Sequence, residues 1–177
     1  INTIGQWVGE IMGRRKNGEE YVASITISAV KDAVGEISHY VALFSDATEQ
    51  REHQSQLEKM AHFDTLTKLP NRALLADRLN QTILQCQRHA KSLAVIFMDL
   101  DGFKDVNDTY GHAVGDELLI VVSQRMSFAL RGVDTLARIG GDEFVVILTD
   151  LTNTDDYKLA LERLLLAVSE PITVGKV

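Results

Sequence analysis

An α+β fold built on a split βαβ sheet is predicted for residues 63–177, preceded by a short antiparallel β segment and a connecting helix. Three observations predict it. The elements of the larger part fall in the order β-α-β-β-α-β. Its first strand is the short apolar run Leu93–Met98, a pattern expected of a strand buried on both faces. Two further strands flank Gly140-Gly141, which reads as a hairpin turn.

Taken in order, residues 1–46 read as β. Asn17-Gly18 is a strong hairpin signal, and Tyr21, Ala23, Ile25 and Ile27 alternate along a strand from Tyr21 to Val30. A turn over Asp32–Gly35 leads to a strand from Ile37 to Phe44. Three antiparallel strands cannot close a core alone. Residues 47–62 are polar and free of Gly and Pro, with Leu57 and Met60 as the chief apolar positions. Such a helix is marginal in isolation; a solvated linker and a dimerising signal helix fit equally. Asn71 can cap a helix whose Leu75, Leu79, Ile83 and Cys86 fall near helical spacing. A second helix runs from about Val114 to Leu130, with Leu118, Val122, Met126 and Leu130 on one face. Strands follow over Thr135–Arg138 and Phe144–Leu148, then a helix over about Thr154–Ser169 and a strand over Pro171–Val174.

Composition limits the function. The 177 residues are 45% hydrophobic and 24% charged, which excludes a disordered chain. A net charge of −7 argues against a nucleic-acid-coating protein, though not against one nucleotide held through a metal. The six apolar residues Leu93–Met98 are far short of the roughly 20 that cross a bilayer, so no membrane contact is expected of this segment. The lone cysteine, Cys86, forms no intrachain disulfide; it points to a reducing, cytoplasmic compartment and to a packing role on its helix. The chain opens on Ile1 rather than Met, the mark of a fragment whose parent can be anchored upstream.

Two acidic constellations suggest chemistry. In Met98-Asp99-Leu100-Asp101-Gly102-Phe103-Lys104, two carboxylates stand two apart where an apolar strand ends, so Asp99 and Asp101 would share a face. A hard cation such as Mg²⁺ prefers one or two carboxylates plus phosphate oxygens. In Arg138-Ile139-Gly140-Gly141-Asp142-Glu143-Phe144, the glycines let another group approach the backbone and two acids follow at once. A plain hairpin needs the glycines but not both acids. With the strand end beside the hairpin, Asp99 and Asp142 would meet as metal ligands for phosphoryl or nucleotidyl transfer.

Gly140-Gly141-Asp142-Glu143-Phe144 resembles the signature of the GGDEF family of diguanylate cyclases. Also similar to that family are Asp64-Thr65-Leu66-Thr67-Lys68-Leu69-Pro70-Asn71-Arg72, Asp99 through Asn107-Asp108, and Tyr110-Gly111-His112 through Gly115-Asp116. The resemblance covers about Asp64 to Val177. It implies a ferredoxin-like domain, akin to nucleotide cyclases and polymerase palms, that joins two GTP into cyclic di-GMP and pyrophosphate. It implies Mg²⁺, with Mn²⁺ as the substitute, on Asp99, the Leu100 carbonyl and Asp142. Asn107 and Asp116 would hydrogen-bond guanine, with His112 nearby; a packed loop histidine is the alternative for His112. Gly102, Phe103 and Lys104 would lie along the phosphates beside Gly140 and Gly141, and Lys104 would counter charge growing in the transition state. Asp142 or Glu143 would help deprotonate the ribose 3′-hydroxyl. Asp101 and Asp108 would cap or orient the loop.

Arg131-Gly132-Val133-Asp134 stands in register with the family's RxxD inhibitory site, where cyclic di-GMP binds; alone, RxxD is a common helix-end pattern. Catalysis would require a homodimer. The family normally continues with a further strand, a helix and a basic motif, so the domain reads as truncated and this fragment as inactive by itself. Residues 1–46 look like the closing strands of a PAS sensor domain, carried by Gly5-Gln6-Trp7-Val8-Gly9-Glu10, Arg15-Lys16-Asn17-Gly18-Glu19 and Phe44-Ser45-Asp46-Ala47-Thr48-Glu49. Trp7 is read there as packing. The stretch Leu164–Gly175 looks like GGDEF domains joined to an EAL phosphodiesterase domain. A regulatory GTP- or cyclic di-GMP-binding domain attached to such a phosphodiesterase is therefore the second reading.

Overall fold

The computed structural model describes residues 5–153 and 155–173. They form two compact units divided between Glu58 and Lys59.

In the first unit, strands β1 (Gln6–Arg14), β2 (Glu20–Lys31) and β3 (Ile37–Asp46) pair antiparallel in that order. The Asn-Gly turn forms as predicted: the Asn17 Oδ1 accepts the Glu19 amide at 3.1 Å. At the second turn Asp32 Oδ1 accepts the amides of Val34 and Glu36 at 2.9 and 3.0 Å. Register puts Trp7, Ile27 and Ala42 in one row and Gly9, Ile25 and Phe44 in another on the same face. Helix α1 (Thr48–His62) starts at Asp46, which accepts both the amide and the hydroxyl of Thr48 at 3.0 and 2.6 Å and pairs with Arg15. The Thr48 bonds and then the Arg15 bond hold the Asp46 carboxyl down to about 2. The unit division falls inside α1, none of whose residues is buried.

In the second unit, α2 (Arg72–His89) is capped by Asn71, whose Oδ1 accepts the amides of Ala73 and Leu74 at 3.0 and 3.1 Å. Then follow β4 (Ser92–Met98), α3 (Phe103–Tyr110), α4 (His112–Ala129), β5 (Thr135–Gly140), β6 (Glu143–Leu151) and α5 (Asp156–Ser169). The antiparallel sheet has the order β4-β6-β5. One face presents Phe144, Val146 and Leu148 of β6 with Leu136 of β5, packed on Leu119, Val122 and Met126 of α4 and Ala160 and Leu164 of α5. The other carries buried Val145, Ile147 and Ala137, on the side approached by α2. The inward residues of α2 are Thr82 and Cys86, so Cys86 packs as expected, whereas Ile83 turns outward at 37% exposure.

Several expectations are corrected. Strand β4 is an edge strand here and is not buried on both faces: Val95 is 38% and Phe97 74% exposed. The segment after it is helical, not a loop. Phe103, Val106 and Tyr110 have the spacing of one helix face, and the helix is bounded by Gly102 and Gly111. Helix α4 starts at His112, two residues earlier than its pattern suggested, and centres on Leu119 rather than Leu118. Pro171–Thr173 form no strand. The Arg125 guanidinium donates instead to the Glu170 and Pro171 carbonyls at 2.6 and 2.9 Å, and Pro171 has no amide hydrogen to give a ladder. Val174 and Thr154 lie outside the described residues.

Candidate functional site

Register fixes the arrangement of the two acidic segments. Met98, the last residue of β4, pairs with Phe144 of β6, so Asp99 follows the end of one strand while Asp142 precedes the neighbouring strand and Glu143 opens it. The β5–β6 turn is irregular: Arg138 pairs with Phe144 and Gly140 with Glu143, leaving Ile139 as a bulge. Gly141 adopts φ 51°, a left-handed conformation that favours glycine, and a Cβ on Gly140 or Gly141 would meet no atom within 4 Å. The surface over the turn is open to a ligand.

Asp99 and Asp101 do not share a strand face, because β4 ends at Met98 and Asp101 lies in the following turn. Asp101 does not cap α3 either: its N-cap is Gly102 at φ 77°, with no side-chain cap bond, and Asp108 lies exposed on α3 itself. The Leu100 carbonyl already accepts the Phe103 amide at 3.1 Å and retains a second lone pair. Phe103 and Lys104 form the first turn of α3, and Lys104 is exposed. Asn107 packs against α4, where a Cβ on Gly115 would collide with its Oδ1 and displace the Asn107 amide. That contact brings Asn107 to the chain position next to Asp116, while His112 opens α4, exposed.

Among the described residues no group of three or more His, Cys, Asp or Glu could hold a metal ion. Asp99 and Asp142 make no ion pair there. Asp99, Asp142 and the Leu100 carbonyl would make an all-oxygen, incomplete set of the kind that Mg²⁺ accepts when phosphate oxygens and water supply the rest. The residues present therefore fit such an ion.

Arg131 and Asp134 do come together, though Asp134 has structural work. Its Oδ2 accepts the Arg131 amide at 3.0 Å and its Oδ1 the Thr149 amide at 3.2 Å. Both residues line a shallow cavity with Asp156 and Arg163 of α5. Asp156 is held below the usual carboxylate range by the Asn153 and Thr152 amides, the Thr152 hydroxyl and the field of Arg131. Sequence reasoning missed Asp156 and Arg163; their spacing, two helical turns apart on α5, was the available signal.

It also missed what Asp64 does. Asp64 Oδ1 accepts the Thr67 amide and hydroxyl at 2.8 and 2.7 Å and the Arg138 guanidinium at 2.9 Å. Burial pushes the carboxyl up, but these bonds outweigh it and the net direction is downward. The segment Asp64–Asn71 is thereby a closed loop tied to the hairpin.

A profile described as "Diguanylate cyclase, GGDEF domain" matches residues 61–177. The chain belongs to this family. It is 48% identical over 130 residues to the bifunctional diguanylate cyclase/cyclic di-GMP phosphodiesterase MucR of Pseudomonas aeruginosa, an alignment covering 73% of this chain and 19% of MucR. Among solved structures, the isolated GGDEF domain of TpbB from Pseudomonas aeruginosa superposes with a TM-score of 0.61 at 40% identity, covering 63% of this chain and 64% of that one. The coiled coil and GGDEF domain of DgcB from Caulobacter crescentus, solved with cyclic di-GMP, matches with a TM-score of 0.59 at 28% identity, covering 66% and 60%. The chain thus spans about a fifth of MucR. No helix among the described residues is long and apolar enough to cross a membrane.

Proposed function

We propose that the protein is a diguanylate cyclase that condenses two GTP into cyclic di-GMP and two pyrophosphates. The single observation that carries this reading is the pairing of Met98 with Phe144, which sets Asp99 beside the Gly140-Gly141-Asp142-Glu143 turn. Asp99, Asp142 and the Leu100 carbonyl would hold Mg²⁺, or Mn²⁺, with the triphosphate. The ion supplies charge neutralisation and orientation when bound. Gly102, Gly140 and Gly141 let phosphate approach the backbone, and the Phe103 end of α3 offers amides. Lys104 offsets negative charge as the α–β phosphate bond breaks. Asn107 and Asp116 read guanine, with His112 alongside. Asp142 or Glu143 takes the proton of the 3′-hydroxyl as its oxygen bonds to the α-phosphorus of the second GTP and pyrophosphate leaves. The reaction runs twice, in a homodimer with one GTP on each domain.

Arg131 and Asp134 form the surface on which cyclic di-GMP restrains the enzyme, with Arg163 adding a second guanidinium suited to phosphate. Residues 1–46 read as the last strands of a PAS sensor, 47–62 as the signalling helix and 63–177 as the catalytic domain. The similarity to bifunctional MucR favours a second reading, a GGDEF domain serving an attached phosphodiesterase. The test is cyclic di-GMP formation by the full-length protein from GTP and Mg²⁺. Asp142→Ala should reduce it by on the order of 10³-fold or more while the protein stays folded. Arg131→Ala should retain basal turnover and lose inhibition by added product. A wild-type protein without turnover that binds GTP would favour the regulatory reading.

A further inference from the structure

The Gly-Gly turn that carries Asp142 has little to hold it. Gly140 and Gly141 have no side chains, the space around them is open, and the bulge at Ile139 interrupts the ladder. One side chain closes this gap. Arg138 Nε donates to the Gly141 carbonyl at 2.8 Å, and its Nη1 donates to Asp64 Oδ1 at 2.9 Å. Its backbone amide donates to the Pro70 carbonyl at 3.0 Å. The side chain is only 12% exposed.

We propose that Arg138 is a positioning residue, which fixes the acidic turn by bridging the Gly141 carbonyl to Asp64 so that Asp142 stands ready for the metal–triphosphate. The proposal rests on the cyclase reading for its catalytic consequence. Its anchor is well held. Asp64 is fixed by both the amide and the hydroxyl of Thr67, and the loop closes through Asp64 N to Leu69 O at 2.8 Å and Lys68 N to Asp64 O at 3.0 Å. The Thr67 amide and hydroxyl hold the Asp64 carboxyl below its ordinary range, so it meets the guanidinium as a carboxylate. The planar fork matters as much as the charge. Nε and Nη1 reach two acceptors at once from one rigid plane, whereas a lysine ammonium on a flexible stem cannot reproduce both contacts in that geometry. A displacement of about 1 Å at a reacting group can cost on the order of 10²-fold in rate.

The experiment compares full-length wild type with Arg138→Lys and Asp64→Asn. Three quantities are read: kcat and KM for GTP, the Mg²⁺ concentration at half-maximal rate, and amide hydrogen exchange at Gly141–Glu143. For Arg138→Lys the expected result is a kcat lowered by about 10- to 100-fold and a Mg²⁺ requirement raised roughly tenfold, as for groups that orient metal ligands. Exchange at the turn should be faster, with melting temperature and KM little changed. Asp64→Asn keeps an acceptor and should show the same pattern more weakly. Wild-type Mg²⁺ dependence together with wild-type exchange in Arg138→Lys would overturn the proposal, as would a fall in melting temperature with kcat and exchange unchanged. If the wild type makes no cyclic di-GMP, the cyclase reading fails by itself. Exchange at Gly141–Glu143 then still decides whether Arg138 holds the turn.

Discussion

The sheets β1-β2-β3 and β4-β6-β5 have the same strand number and the same antiparallel pairing. They differ in what lies on them. In the first, Ala23 is the only buried apolar residue among those described, and Trp7, Ile11, Tyr40 and Phe44 remain between 37% and 72% exposed. In the second, Phe144, Val145, Val146, Ile147 and Leu148 are all at or below 1% exposure. Alternating pattern alone makes a ladder, but helices on both faces make a core. The acidic turn grows out of the buried strand β6, so the candidate site stands on the rigid sheet.

The contrast makes graded predictions. Phe144→Ala should destabilise the Lys59–Val177 unit by about 3–5 kcal/mol, because it empties the centre of the packing between sheet and helices. Urea unfolding followed by far-UV circular dichroism reads this, since α2–α5 belong to that unit. Ile27→Ala, on the half-buried face of β2, should cost only about 1 kcal/mol. Fluorescence of Trp7, the only tryptophan, reports on that sheet. Comparable losses at the two positions would break the comparison.

A smaller effect concerns the latch between the Asp64 loop and the hairpin. The folded-state pKa of Asp64 is lowered, so its ionisation stabilises the fold above the unfolded value near 4 and that contribution disappears as pH falls through the folded value. Wild type should therefore lose stability relative to Asp64→Asn as pH falls below about 5. Parallel pH profiles for the two proteins would show that the latch carries no linkage.

The elements legible in the sequence are those whose pattern is set locally. Asn17-Gly18 marked its turn, Asn71 its cap, and Gly140-Gly141 its hairpin, since each residue type is required by its own backbone or its nearest amides. The burial of β4 was misread because an apolar run does not say whether a neighbour lies on each side; Phe97 sits on the open edge. Helix α3 has only eight residues, too few for a clear periodic signal, and lies between Gly102 and Gly111 as its two ends. The acids of the candidate site stood out as a cluster. Arg138 and Asp64 did not, because a pair separated by 74 residues has no local signal. Arg163 was obscured for a related reason: it meets Arg131 only once α5 has packed.

In the proposed cyclase reading, Asp99 and Asp142 act as one metal-binding pair in the presence of nucleotide. The most direct test of that claim is a Mn²⁺ titration of the full-length protein with GTP, read by electron paramagnetic resonance, for wild type, Asp99→Asn and Asp142→Asn. Both variants should lose Mn²⁺ affinity by a similar factor of about ten or more, and the double variant should lose little beyond either. Wild-type Mn²⁺ affinity in either single variant would contradict the claim.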